Sequence, residues 1–140
     1  MEPEVHLFTS AALTSAAYFI TGNIPAAVAA FFGGFFIDLD HLLEYWLYKK
    51  SLVIRGEFFT KYAKKAGHLY IFFHSYEVLL AVYFVAMLTR GLFSEIALWL
   101  AIGMTLHMVL DILGNNVWPK TYSLIYRIYR NFGSEHFYKR

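Results

Sequence analysis

The chain has 140 residues and no cysteine, so disulfides and thiolate metal sites are excluded. Apolar residues make up 59% of it, 16% of the residues are charged, and the mean hydropathy is +0.46. Average soluble domains are about 45–50% apolar and about 25% charged, so this balance favours a membrane protein. The net charge of +2 is too small to indicate a nucleic-acid partner. We therefore expect membrane lipid as the main partner, and the oligomeric state is left open.

Four long apolar segments are expected to form transmembrane helices. The 33 residues from Val5 to Ile37 carry no Lys, Arg, Asp or Glu, which is too long for one span of about 20 residues. The turn-forming sequence Gly22-Asn23-Ile24-Pro25 divides them. The predicted helices run from about Glu4 to Thr21, Pro25 to Lys49, Gly67 to Thr89 and Phe93 to Leu113. The predicted fold is an all-α, four-helix transmembrane bundle that forms a single domain over residues 1–140.

Basic residues are concentrated in two places. Of the twelve Lys and Arg residues, eleven lie between Lys49 and Lys65 or after Leu113, and only Arg90 lies elsewhere. The first region is predicted to be a short amphipathic helix at the lipid interface, and the C-terminal region a basic, aromatic helix. The positive-inside rule places both regions in the cytoplasm, and four spans place the N-terminus there too. The expected location is the inner, cytoplasmic membrane.

Nine ionisable residues within the predicted spans fall at one depth if neighbouring helices run in opposite directions. They are His6, Asp38, Asp40, His41, His68, His74, Glu77, His107 and Asp111. Scattered polar residues would have no reason to share a depth, and intramembrane ionisable residues are functional candidates by default. A buried carboxylate costs several kcal/mol unless it is paired or binds a metal. The predicted spans contain no Lys or Arg apart from Lys49 at the very end of the second one, so a metal is the expected partner.

The spacing of these residues favours a shared metal site. Residues one helical turn apart lie on one face, and the pairs with this spacing are Asp38 with His41, His74 with Glu77, and His107 with Asp111. Imidazole and carboxylate ligands without thiolate suit Zn²⁺ best, with Mn²⁺ or Fe²⁺ as alternatives. We predict one to three divalent ions with ligands drawn from His6, Asp38, His41, His74, His107 and Asp111.

Two carboxylates are predicted to serve as general base instead, namely Asp40 and Glu77. On an ideal helix Asp40 points away from Asp38. Either it supports a ligand from behind, or the pair Gly33-Gly34 distorts the helix so that both carboxylates turn inward. His68 is a doubtful ligand.

Three motifs in order resemble a known family. They are Gly34-…-Ile37-Asp38-Leu39-Asp40-His41, then His74-Ser75, then His107-…-Asp111 followed by Trp118-Pro119. This set is similar to the YdjM-type family of membrane-bound, predicted metal-dependent hydrolases, although Ile37 stands where that family usually has proline. A more distant similarity to zinc-dependent phospholipases C suggests phosphoester hydrolysis. The resemblance implies a metal-activated water and a phosphoester or lipid-like substrate at the cytoplasmic face.

Two other function classes are compatible with the same residues. A haem carrier would use His74 and His107 as axial ligands, but this leaves the aspartates unexplained. A metal-ion or proton transporter would use the cluster as a relay, but polar groups confined to one half of the membrane offer no path to the other face.

Overall fold

The computed structural model describes residues 3–50 and 66–139, and these are helical with no strand and two isolated β-bridges. The α-helices are α1 (Pro3–Thr21), α2 (Ile24–Phe35), α3 (Leu39–Lys49), α4 (Tyr76–Leu88), α5 (Leu92–Gly114) and α6 (Leu124–Tyr129). Short 3₁₀ turns cover Phe36–Asp38, Pro119–Tyr122 and Ser134–His136. The predicted interfacial helix lies largely outside the described residues.

Two helical segments are long and apolar enough to cross a membrane. They are Ile24–Lys49, with 26 residues and a mean hydropathy of 1.5, and α5, with 23 residues and a mean hydropathy of 2.0. The apolar helix α4 has 13 residues, which at about 1.5 Å per residue is shorter than the roughly 30 Å hydrocarbon core. The all-α prediction is confirmed, whereas the described residues do not clearly form the predicted four-span bundle.

Two of the predicted helices match the structure closely, and two differ. The bounds of α1 and α5 agree with the prediction to within one residue. The predicted second helix is interrupted at Phe36–Asp38. The predicted third helix starts at Tyr76 instead of Gly67. The predicted basic C-terminal helix is reduced to the six residues of α6 between turns. The two differences within the predicted spans position the candidate site, as described below.

Glycines allow α2 and α5 to pack closely. A Cβ at Gly33 would overlap the carbonyl oxygen of Leu100, and one at Gly103 would overlap that of Ala30. The buried α2 residues around this contact are mostly alanine and glycine, as is usual where helix backbones approach one another in a membrane. The pair Gly33-Gly34 therefore serves helix packing, and the break in the helix follows it at Phe36.

Replacing Gly103 by alanine is expected to destabilise the protein by about 1–3 kcal/mol, the range for overpacking a close-packed interface. The added methyl group would meet backbone atoms of α2, which cannot rotate away as a side chain could. Thermal unfolding in detergent would measure the change. The matched control is Val109→Ala on the exposed face of α5, which should cost much less. Equal stability of Gly103→Ala and the unmodified protein would contradict this packing.

Candidate metal centre

Four parts of the chain deliver side chains to one end of the helical bundle. These parts are the start of α1, the 3₁₀ turn with the start of α3, the loop before α4, and the end of α5. The turns at Gly22 and Gly91 lie at the other end, where the Asn23 side-chain amide donates to Glu95 at 2.8 Å. Seven predicted site residues meet at the first end: His6, Asp38, Asp40, His41, His74, His107 and Asp111.

The 3₁₀ turn at Phe36–Asp38 sets the directions of the two aspartates. Asp38 Oδ1 lies 3.1 Å from His74 Nε2, and the Asp40 carboxylate lies 3.0–3.2 Å from His74 Nδ1. The two carboxylates therefore contact opposite nitrogens of one imidazole. A continuous helix would have turned Asp40 away from Asp38. The break that lets both aspartates face His74 lies at Phe36–Asp38, and not at Gly33-Gly34 as the sequence-based alternative held.

His74 lies in a loop because carboxylates accept hydrogen bonds from the backbone N–H groups that a helix would pair with its own carbonyls. Asp40 Oδ2 accepts from the backbone N–H groups of Phe73 at 2.8 Å and His74 at 3.4 Å. Glu44 accepts from the backbone N–H of Tyr70. The same loop pairs with the C-terminal segment, where the Leu69 N–H donates to Phe132 at 2.9 Å. The residues 67–75 thus have other hydrogen-bond partners than a helix would provide.

Two imidazole nitrogens face each other with their lone pairs exposed. His107 Nδ1 donates to the Gly34 carbonyl at 2.9 Å, so a neutral His107 has no proton on Nε2. The Asp40 carboxylate fixes the proton of His74 on Nδ1 in the same way. The two Nε2 atoms lie 3.0 Å apart. Lone pairs at this distance repel unless a cation or a proton is shared between them.

Four ligand atoms surround a common point. They are Asp38 Oδ1, His74 Nε2, His107 Nε2 and Asp111 Oδ2, and the five measured separations among them run from 3.0 to 3.8 Å. Ligand atoms placed about 2.0–2.2 Å from a tetrahedral ion stand roughly 3.3–3.6 Å apart. The side chains of the two histidines and Asp111 are at most 6% exposed, whereas that of Asp38 is 38% exposed. The donor set fits a tetrahedral divalent ion that is reached from the Asp38 side.

A second group shares two of these residues. His6 Nε2 lies 3.2 Å from Asp111 Oδ1, and the His6 ring stacks on that of His107 with their centroids 4.0 Å apart. His6 Nδ1 is buried and hydrogen-bonds no other part of the described chain. Asp111 Oδ1 also accepts from the Asn115 side chain at 2.7 Å. The two carboxylate oxygens of Asp111 therefore face different groups.

Asp40, His41 and His74 form a third group whose ligand atoms, as in the other two, lie within 4.8 Å of one another. The His41 ring is edge-on to His74 at 4.7 Å. Asp40 is 6% exposed and already accepts from His74. This is the arrangement in which a carboxylate orients a metal-binding histidine from behind.

Replacing Asp40 by asparagine is expected to weaken metal binding by about 10–100-fold, the usual loss for a carboxylate that orients a histidine ligand. The amide can no longer fix the proton of His74 on Nδ1 by charge. A metal-chelator competition titration measures the change. Glu135→Asn is a control at an exposed carboxylate outside the cluster. A loss of hydrolysis with unchanged affinity would instead support the predicted role of Asp40 as general base.

Comparison with known proteins identifies the family. The family model described as YdjM inner membrane protein matches residues 1–122. The chain belongs to the YdjM inner membrane protein family. The resemblance predicted from the ordered motifs is confirmed, and the family supports a membrane location. No curated protein and no solved structure matches the chain. Every residue of the cluster lies within the YdjM match, whereas α6 lies beyond it.

Two candidates from the sequence are not part of the cluster in this YdjM protein. Glu77 accepts from the Ser123 hydroxyl at 2.7 Å and from the N–H groups of Leu124 at 2.8 Å and Ile125 at 3.1 Å. It therefore caps the start of α6, and it belongs to none of the three groups. His68 is exposed, stacks on Tyr70 and likewise lies outside them. A role of Glu77 as general base stays a prediction that its position does not favour.

Replacing Glu77 by glutamine is expected to loosen α6 without removing metal. A charged acceptor at a helix start contributes about 1.5–3 kcal/mol through its hydrogen bonds, and the amide keeps part of this. Hydrogen exchange at the Leu124 and Ile125 amides should accelerate, while the metal content stays the same. If hydrolysis is abolished while α6 stays protected, Glu77 is the general base after all.

Two residues that support the cluster were missed by sequence reasoning. Arg127 on α6 is fully buried and donates to the carbonyls of Ile71 and His74, the latter at 3.0 Å. Tyr122 is buried against Asp111, and burial together with that negative charge raises the pKa of its hydroxyl. A single Arg within the apolar run Leu124–Tyr129 was a signal available in the sequence.

Proposed function

We propose that this YdjM family protein is a membrane-embedded, metal-dependent hydrolase that acts on a phosphoester or lipid-like substrate at the cytoplasmic face. The observation that carries the proposal is the pair of unprotonated Nε2 atoms 3.0 Å apart beside two aspartates. Such a donor set favours Zn²⁺, with Mn²⁺ or Fe²⁺ as alternatives.

In this proposal each residue has a defined task. Asp38, His74, His107 and Asp111 hold an ion, and His6 extends the site towards a second one. A divalent ion bound there would polarise a phosphoryl oxygen and lower the pKa of a water molecule. Asp40 keeps the His74 ring in the tautomer that presents Nε2. The partly exposed Asp38 marks the side from which a substrate can enter.

The substrate class follows from the surroundings. Lys49 and Lys50 at the end of α3 and the basic residues after α5 lie at the same end of the bundle as the cluster. By the positive-inside rule this end faces the cytoplasm. Basic residues at a membrane surface attract anionic lipid head groups. A phosphoester held at this surface is therefore the proposed substrate.

The test combines metal analysis with an activity assay on the purified protein. We expect about one ion or more per chain, and hydrolysis of a chromogenic phosphodiester or of a phospholipid that chelator abolishes and Zn²⁺ restores. Protein purified without chelator and free of metal would overturn the proposal. Metal-dependent ion flux into proteoliposomes without hydrolysis would favour a transporter, and a Soret band would favour a haem carrier.

A further inference from the structure

The chain after α5 folds back against the end of that helix and forms a groove. The Trp118 N–H donates to Phe137 at 2.9 Å, and the Lys139 N–H donates to Asn116 at 3.0 Å. These contacts bring Lys120, Arg130 and Lys139 to the lining of one groove of about 570 Å³. We call it the basic groove. It is separate from the His and Asp cluster, since no residue of that cluster lines it.

Aromatic rings hold these cations together. Lys120 Nζ lies 5.2 Å from the ring centroid of Tyr126 and 5.7 Å from that of Trp118. The Arg130 guanidinium lies 5.7 Å from the Tyr126 ring, and Lys139 Nζ lies 6.0 Å from the Trp118 ring. A ring face attracts a cation without neutralising its charge. The groove therefore keeps a positive field that carboxylate partners would have cancelled.

Glu135 is the one acid among the described residues that line the groove. Glu135 Oε1 lies 3.3 Å from His136 Nε2, so this carboxylate contacts the neighbouring imidazole. Over residues 3–50 and 66–139, no carboxylate lies within ion-pair distance of Lys120, Arg130 or Lys139. Three cations facing one acid leave the groove about two charges positive, which suits an anionic ligand.

The helix beside the groove carries apolar side chains on its outer surface. Ile125, Ile128 and Tyr129 of α6 are 69%, 55% and 76% exposed, whereas Arg127 of the same helix is fully buried. A surface of this kind is unfavourable in water and suits the boundary between head groups and acyl chains. Trp118, four residues beyond the end of the candidate span α5, continues this surface.

We propose that the basic groove binds the phosphate of an anionic phospholipid whose acyl chains lie against α6. A soluble phosphate would use the cations but gain nothing from the exposed apolar residues. An anionic phospholipid would use both the cations and the exposed apolar residues. The groove follows the end of the candidate span α5, and this position places it at the membrane surface. Binding would hold the C-terminal segment against the membrane.

Native mass spectrometry of the protein in a neutral detergent tests this proposal. The protein is mixed with equal amounts of phosphatidylglycerol and phosphatidylcholine. Basic residues near an anionic surface contribute about fivefold each, so two net charges predict a preference of roughly 25-fold for phosphatidylglycerol in the first bound lipid. Equal binding of the two lipids would overturn the proposal.

Variants locate the site. Lys120→Gln with Lys139→Gln should reduce the preference for phosphatidylglycerol over phosphatidylcholine. Arg90→Gln, at the exposed turn at the opposite end of the bundle, should leave this preference unchanged. Glu135→Gln should raise the preference about fivefold by the same rule, a gain that misfolding cannot produce. An unchanged preference in the first or third variant would refute the assignment. Displacement of the lipid by millimolar inorganic phosphate would show a soluble-anion site and refute the lipid.

Discussion

Replacing His107 by alanine is expected to remove bound metal almost completely. His107 Nε2 lies 3.0 Å from His74 Nε2, 3.4 Å from Asp38 and 3.6 Å from Asp111, so one substitution removes one of the two ligands that the first two groups share. The affinity should fall by more than the roughly 10–100-fold loss expected for residues that only support a ligand. Metal content by elemental analysis and chelator competition measure the effect.

The control variants separate ligand loss from unfolding. His68→Ala and His136→Ala remove partly or fully exposed imidazoles outside the three groups, and both should retain metal. His107→Gln keeps a polar side chain at the end of α5 and should fold yet bind little metal. Full occupancy in a folded His107→Ala protein would eliminate the proposed centre.

The convergence of the cluster could be predicted because helix direction alternates along the chain. His6 at the start of α1 and His107 near the end of α5 are 101 positions apart in sequence, yet their rings stack. An antiparallel arrangement of the helices predicts that such positions share one depth, even when their contacts are unknown. Apolar length and charge distribution were enough for that step.

Where the prediction failed, contacts distant in sequence outweighed local propensity. An apolar stretch from Gly67 was expected to be helical, but Asp40 and Glu44 bind its amides and the segment after Phe132 pairs with its backbone. Glu77 was expected near the metal because it lies one turn from His74 in an ideal helix. Because the helix starts at Tyr76, that spacing no longer applies, and the Glu77 carboxylate caps the start of α6.

The largest stability loss is expected for Arg127→Met. Arg127 is fully buried, and burial lowers its pKa, while the negative charges of Asp40, Glu77 and Glu44 raise it. Hydrogen bonds from a charged donor contribute about 1.5–3 kcal/mol each, and Arg127 makes two of them. The substitution also leaves the carbonyls of Ile71 and His74 without their donor. Thermal unfolding should show a large decrease in the unfolding temperature.

The same substitution tests whether the segment beyond the family match supports the metal site. Arg127 reaches the backbone of His74, so a looser loop should misplace Nε2 and lower metal affinity in whatever protein remains folded. Arg127→Lys keeps the charge but not the fork that bonds two carbonyls at once, and it should rescue stability only in part. Arg130→Met, three residues further on and exposed, should change neither metal affinity nor unfolding appreciably. If Arg127→Met retains both the metal affinity and the unfolding temperature, the buried guanidinium does not hold this loop, and His74 is positioned by Asp40 and Glu44 alone.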